Sequence, residues 1–149
     1  MPQTGQRVDP YGSFDFRVEI GGIFRGSFQE VSGLDSSIDV AEYREGGNAN
    51  PSVYKLPGRS KYSNVTCKRG ITDDDSLWNW HMQWVKGDPA AQRLAVGIVL
   101  LDRTGRERMR WHCEAAWPVK WTGPTFNAKG NEVAIETFEI AHEGLERIK

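Results

Sequence analysis

The sequence has little cysteine and no long hydrophobic run, and both absences narrow the class of protein. Its 149 residues include two cysteines, Cys67 and Cys113, which are far apart and form no Cys-x-x-Cys pair. We therefore expect two buried free thiols rather than a disulfide scaffold. The longest apolar run, Leu94–Leu101, is far too short to cross a bilayer as a helix. Residues 1–8 lack the apolar stretch of a signal peptide, so we expect cytoplasmic synthesis and no membrane insertion.

The chain also lacks a strong net charge. Its formal charge is −1, so the domain-wide basic field of a typical nucleic-acid binder is missing. Four arginines do cluster on one predicted hairpin: Arg103, Arg106, Arg108 and Arg110. An anionic partner such as nucleic acid is one interpretation. We favour the other, a solvated or intersubunit strand whose arginines pair with acids from a neighbouring subunit.

Motifs of catalysis and cofactor binding are missing as well. There is no Gly-x-Ser-x-Gly elbow, no phosphate-binding loop and no Gly-x-Gly-x-x-Gly. His81, His112 and His142 have no metal-ligand spacing to another His or Cys. We predict no catalytic residue, no metal and no cofactor, and we expect His81 to be partly buried and hydrogen-bonded.

What the chain does contain is a succession of strand patterns. Apolar residues alternate with charged ones from Phe14 to Ile20, Gly21-Gly22 predicts a tight turn, and a second strand is predicted over 23–31. Further predicted strands are a third around 38–43 and others at 64–68, 94–101, 106–117 (perturbed at Pro118) and 131–142.

One helix is predicted between these strands. Leu77, Trp78, His81, Trp84 and Val85 recur at helical spacing, Thr72 and Asp75 have the spacing of a capping box, and Gly87 suits the helix end. Many strands with one helix predict a single mainly β domain, an antiparallel sandwich or barrel with one flanking helix.

Two segments fall outside this pattern. Residues 1–12 are polar and rich in proline and glycine, which predicts a flexible arm. Residues 44–62 contain the breakers at 46–51 and Pro57-Gly58, which predicts an extended loop. Loops this long are usually functional or disordered.

Five segments in a fixed order carry a family resemblance. They are DPYGSFDFRVEI (9–20), FQEVSGL (28–34), YREGG with KLPG (43–47 and 55–58), LWNWH (77–81) and IAHEGL (140–145). Together they resemble the tail tube proteins of contractile phages, and especially the inner tube proteins of extracellular contractile injection systems.

The resemblance implies a structural role. Such proteins form homohexameric rings whose strands join into a ring-wide β-barrel, and the rings stack into a tube inside a sheath protein. Implied partners are further copies of the chain, the sheath, baseplate or hub proteins, tube-terminating proteins and a cargo effector in the lumen. Assembly would be cytoplasmic, and the product would be part of a virion-like or extracellular injection particle.

The same resemblance assigns ring stacking to the 44–62 segment. The candidate stacking residues are Arg44, Glu45, Tyr54, Lys55, Leu56, Pro57, Arg59 and Tyr62. Candidates for a face toward the lumen or the sheath are Arg17, Glu19, Asp39 and Lys68.

Three other interpretations remain open at this point. The first is the tube protein of a phage tail or of a type VI secretion system. The second is a carbohydrate-binding β-sandwich that uses the six tryptophans as a platform. The third is a small barrel enzyme whose residues are distant in sequence.

Overall fold

A computed structural model describes residues 15–44, 46, 53–130 and 133–149. The predicted arm over 1–12, Phe14 and Glu45 lie outside these residues. Within them the chain folds into antiparallel strands and one helix, which confirms the mainly β prediction. The elements are β1 Phe16–Ile20, β2 Phe24–Gly26, β3 Glu30–Ser32, β4 Ser36–Arg44, β5 Val53–Tyr62, β6 Val65–Gly70, α1 Ser76–Val85, β7 Leu94–Leu101, β8 Glu107–Thr122, β9 Ile135–Ala141 and β10 Gly144–Arg147.

The long strand β8 belongs to two sheets. Its first half pairs with β7 and β10, and its second half pairs with β9. Between the halves, Ala115 has a φ of 50°, a left-handed conformation that bends the strand. We call β2-β1-β7 with the first half of β8 and β10 sheet A, and the second half of β8 with β9-β6-β3 sheet B.

The core lies between the inner faces of the two sheets, where alternate residues of each strand are buried. Val18 and Ile98 come from sheet A, Phe138 comes from sheet B, and Leu77 and Trp80 of α1 pack against the same cluster. Cys67 and Cys113 are both buried and free, as predicted. Burial raises the pKa of the Cys67 thiol to about 12, so this thiol is unreactive near neutral pH.

The helix occupies the predicted segment, but its start differs from the prediction. Asp75 is the N-cap without a side-chain hydrogen bond, while the Asp74 carboxylate accepts from the Ser76 amide. The predicted capping box between Thr72 and Asp75 is therefore wrong, because an Asx turn one residue earlier provides the first acceptor. Gly87, with a φ of 65°, follows the helix end as predicted.

Three strand predictions need correction. The strand predicted over 23–31 is two short strands, because β2 joins sheet A and β3 joins sheet B. The predicted loop 44–62 is largely strand, since β5 spans Val53–Tyr62. The last segment also contains β10, which pairs with β8 and which the sequence pattern did not predict.

Among the described residues, α1 offers neither the length nor the apolar character that a membrane-spanning helix requires.

Candidate assembly surfaces

The most exposed part of the described chain is a hairpin made of β4 and β5, which we call the hairpin arm. The two strands pair only with each other, from Ser36 opposite Tyr62 to Arg44 opposite Val53. All of β4 and nearly all of β5 are exposed to solvent. A two-stranded hairpin without further support is marginally stable in water, so the arm is expected to need a partner.

Large apolar side chains lie on this exposed arm. Directly opposed residues of an antiparallel pair share a face, so Ala41 with Leu56 and Tyr43 with Tyr54 form one surface, which we call the aromatic face. Tyr43, Tyr54 and Leu56 each expose about half of their surface, at 51%, 47% and 48%. The other face of the same segment carries the pair Glu42 and Lys55.

The root of the arm is fixed to the domain by hydrogen bonds and close packing. The Ser63 amide donates to the Asp35 carboxylate over 3.3 Å, and His142 Nε2 lies 3.0 Å from the Ser63 carbonyl oxygen. Gly33 has a φ of 94°, and a Cβ there would lie 2.1 Å from the Asn64 carbonyl oxygen. The arm therefore emerges at a defined point, next to the first residue of β6.

The predicted stacking residues lie along the arm, in strands rather than in a loop. Arg44 ends β4, and Glu45 lies outside the described residues. The remaining six belong to β5: Tyr54, Lys55, Leu56, Pro57, Arg59 and Tyr62. The prediction omitted the partner strand with Ala41 and Tyr43, although the alternation of 38–43 indicated that strand.

The four candidates for a lumen or sheath face do not form one surface. Arg17 and Glu19 lie together on the outer face of sheet A, 3.2 Å apart. Asp39 lies on the arm, where it pairs with Lys61 at 3.0 Å. Lys68 lies on sheet B and lines a cleft that is described below.

The outer face of sheet A carries a network of ion pairs. Arg110 contacts Glu19 at 2.7 Å and Glu107 at 2.5 Å. The hydrogen bonds from Arg110 lower the pKa of both carboxyl groups below their usual values. Both acids therefore stay ionised at neutral pH, and their lowered pKa makes them weak bases, which suits structural pairing better than proton abstraction.

Acids of the same chain also engage the predicted basic hairpin. Arg108 Nε donates to the Asp102 carboxylate over 2.8 Å, and Arg110 belongs to the sheet A network. Arg108 and Arg110 therefore pair with acids of their own subunit, whereas the favoured interpretation of the sequence has these arginines pair with acids from a neighbour. Hydrogen bonds from Thr104 and Arg106 to the Asp102 carboxylate close the turn. They also lower the pKa of Asp102, so its carboxyl group stays ionised.

A second cluster of charged side chains is largely buried inside the fold. Arg69 and Glu136, both largely buried, form an ion pair across β6 and β9. Trp121 Nε1 donates to the other oxygen of Glu136 over 2.9 Å, and Arg69 also contacts the Asp74 carboxylate at 3.4 Å. These contacts satisfy the charges and tie the segment before α1 to sheet B.

Five of the six tryptophans pack against other aromatic rings of the domain. Trp78 meets Trp121 edge-on at 4.7 Å, Trp84 lies 5.4 Å from Trp117, and Trp80 lies 6.0 Å from Phe138. These pairs join α1 to the sheets, so most of their surface is used in packing, not in a sugar platform. His81 contacts the Pro118 carbonyl oxygen at 3.3 Å, as expected for a partly buried histidine.

A cleft of about 520 Å³ lies at the end of sheet B away from the arm. Phe126 and Val133 on its rim are exposed at 84% and 75%. The lining residues are Lys68, Thr122, Gly123, Thr125, Phe126, Asn127, Gly130, Val133, Ala134, Ile135 and Thr137. Among the described residues, including those of the cleft, no group of three or more His, Cys, Asp or Glu is placed to hold a metal ion.

Several solved structures share this architecture. The chain is 27% identical, with a TM-score of 0.80, to a chain of the PVC extracellular contractile injection system sheath-tube complex, covering 93% of this chain and 90% of that one. It is 26% identical, with a TM-score of 0.81, to a chain of the sheath/tube terminator of that system, covering 95% and 99%. Hcp1 from Flavobacterium johnsoniae shares the fold, at 16% identity and a TM-score of 0.55 over 91% and 95% of the two chains.

A search of curated proteins by sequence finds no match. A search of protein-family models finds that the model of the T4-like virus tail tube protein gp19 matches residues 12–146. Because this match includes nearly the whole chain, with both sheets, the hairpin arm and the helix, the chain belongs to the T4-like virus tail tube protein family.

Proposed function

We propose that this chain is the structural subunit of the hollow inner tube of a phage-tail-like contractile injection system. Hexameric rings of the subunit stack into a tube inside a sheath, on a baseplate and below a terminating cap. Contraction of the sheath drives the tube through a target envelope, and the lumen conducts cargo. The subunit itself has a mechanical role and no catalytic one.

The observation that carries this proposal is the hairpin arm. It extends about 30 Å from the domain, given ten residues in β5 and a rise of about 3.3 Å per residue. Its aromatic face has no partner among the described residues of the same chain. An exposed arm of this kind is expected to be completed by a neighbouring copy. Contacts between unlike surfaces of identical subunits propagate into filaments when they do not close into a ring.

The sheet edges support lateral assembly in the same way. Strands β2 and β3 end the strand order and are three residues long. Short edge strands limit uncontrolled pairing, while a ring of subunits can still pair such edges in one register. The two most identical neighbours reported above come from a sheath-tube complex and a sheath/tube terminator, which supports the same environment for this chain.

A shortened arm tests the proposal. Replacing residues 41–56 with Gly-Gly joins Val40 to Pro57, which face each other across the hairpin. We expect the wild-type protein to sediment as rings and tubes, and the shortened protein to stay folded and stop at rings. Circular dichroism controls for folding. Long hollow filaments from the shortened protein would exclude a stacking role for the arm.

A tube of a phage tail or of a type VI secretion system would use the same subunit design, and the Hcp1 likeness is one of fold alone. The cargo distinguishes them. Tubes purified with sheath from the producing cells are expected to contain protein rather than DNA, by mass spectrometry and nuclease digestion. DNA in the lumen would favour the phage tail.

A further inference from the structure

The hairpin arm and the cleft lie at opposite ends of the same sheet. Strand β6 begins at Val65, beside the arm, and ends at Gly70. Its partner β9 runs the other way, so Ile140 lies opposite Val65 while Ile135 lies opposite Gly70. Six residues of β6 at about 3.3 Å per residue separate the two ends by about 17 Å.

This arrangement has the polarity of a head-to-tail contact. A surface that projects at one end and a recess at the other can meet between translated copies, whereas within one copy the strands of the arm pair only with each other. Such an interface is heterologous: one copy contributes the arm and the next contributes the cleft.

We propose that the aromatic face of the hairpin arm docks in the cleft of the next copy along the tube axis. The proposal rests on the proposed function, since it identifies the receiving surface of the stacking contact. The site is the cleft that sheet B forms with residues 123–130 and 133–134, and its occupant is a second copy of this chain.

The chemistry of the two surfaces matches. The arm presents Tyr43, Tyr54 and Leu56, which are apolar bodies with hydroxyl tips on the two tyrosines. The cleft offers apolar surface from Phe126, Val133 and Ile135 next to the hydroxyl groups of Thr122 and Thr137 and the Lys68 ammonium group. Rings that bury their carbon surface while their hydroxyl groups keep a polar partner are typical of protein interfaces.

The size and exposure of the cleft fit this occupant. Its volume of about 520 Å³ is in the range of about 300–1,000 Å³ that accommodates compact ligands, which suits a few side chains and not a whole domain. Phe126 is among the most exposed large apolar residues described. Docking would bury Phe126 and the aromatic face together, so that a single contact covers two exposed apolar surfaces.

Photo-crosslinking in assembled tubes tests the inference. Benzoylphenylalanine replaces Leu56 on the aromatic face, and in a matched control it replaces Lys55, which points to the other face. After irradiation and trypsin digestion, we expect Leu56→benzoylphenylalanine to join intersubunit peptides 121–129 and 130–147. The expected yield of these products is at least about fivefold higher than from the Lys55 control. Tubes that crosslink from position 56 to other segments would overturn the docking site while leaving the tube proposal intact.

A mixing experiment keeps the test decisive if a probe prevents assembly. Leu56→Lys blocks the arm, Phe126→Lys blocks the cleft, and Val85→Lys, at an exposed position on α1, is the control. Each blocked variant is expected to form single rings, and their mixture should form double rings that grow no further. The control should form tubes. Tubes from Phe126→Lys alone, or a mixture that stays at single rings, would contradict the inference, whereas a wild type without rings or tubes would contradict the proposed function instead.

Discussion

Arg110 reaches across strand β7 to Glu19 over the bare backbone of Gly97. The Arg110 Nη1 to Glu19 Oε2 distance is 2.7 Å, and a Cβ on Gly97 would lie 2.8 Å from the same Nη1. The missing side chain at Gly97 is therefore the space that the guanidinium group occupies. The pair links β1 to β8 across the strand between them and covers the buried Val99.

This pair predicts a pH dependence of stability. Arg110 lowers the folded-state pKa of Glu19, so the contribution is present above the unfolded value of about 4.3 and is lost as the pH falls through the lower folded value. Glu19→Gln should cost about 1 kcal/mol near neutral pH and less at about pH 3. Urea unfolding at both pH values measures this. Glu146→Gln, on the exposed part of β10, serves as the control, and an equal cost at both pH values would contradict the assignment.

Two glycines with a positive φ should differ in the stability lost when each is replaced by alanine. Gly33 and Gly22 both have a positive φ, but a Cβ at Gly33 meets the Asn64 carbonyl oxygen, whereas a Cβ at Gly22 meets nothing within 4 Å. Gly22→Ala should cost only the backbone penalty of about 1 kcal/mol. Gly33→Ala should cost at least about 3 kcal/mol, because backbone atoms must also move. Thermal melting compares the two variants; similar melting temperatures would show that the arm is not held as described.

The buried pair of Arg69 and Glu136 predicts non-additive substitutions. Glu136→Ala leaves the Arg69 charge buried with only Asp74 as a carboxylate partner and removes the acceptor of Trp121, so we expect a loss of about 3 kcal/mol. Arg69→Met combined with Glu136→Leu should lose less than Glu136→Ala alone, since no charge is left unpaired. A double variant that is less stable than the single one in urea unfolding would mean that the pair itself stabilises the fold.

A charge should have opposite effects on stability at a buried valine of the core and at an exposed valine of the arm. Val18 is fully buried between the sheets, whereas Val40 on the arm is 61% exposed. Val18→Asp should prevent folding because it buries an unpaired charge, whereas Val40→Asp should leave the melting temperature within about 2 °C of the wild type. Circular dichroism measures both. A folded Val18→Asp would show that the inner face of β1 is misassigned.

Local sequence patterns predicted the elements whose signals are local. The bounds of β7 follow from one continuous apolar run, and α1 follows from helical spacing with Gly87 at its end. Strand β5 was missed because Pro57-Gly58 is a strong turn signal. In the fold, the register shift between Ile38 and Val40 absorbs this dipeptide, and a Cβ on Gly58 would lie only 2.9 Å from the Asp39 carbonyl oxygen. Proline is tolerated there because each strand of the arm has a free edge.

Only part of the candidate site could be predicted from the sequence, because the rest depends on contacts between distant segments. The resemblance located the arm, but its aromatic face depends on the pairing of β4 with β5, which no single segment reveals. Glu19 and Arg110 are 91 positions apart, and the cleft combines β6, β8 and β9. Contacts between distant segments depend on the topology, and the alternation of residues in one strand does not determine it.

Electron microscopy of the purified wild-type protein over a range of concentrations tests the central claim most directly. The account predicts six-fold rings with an open centre, and hollow tubes of stacked rings as the concentration rises. Single subunits at every concentration, even with preformed tube fragments as seeds, would contradict it, and so would filaments without a central channel.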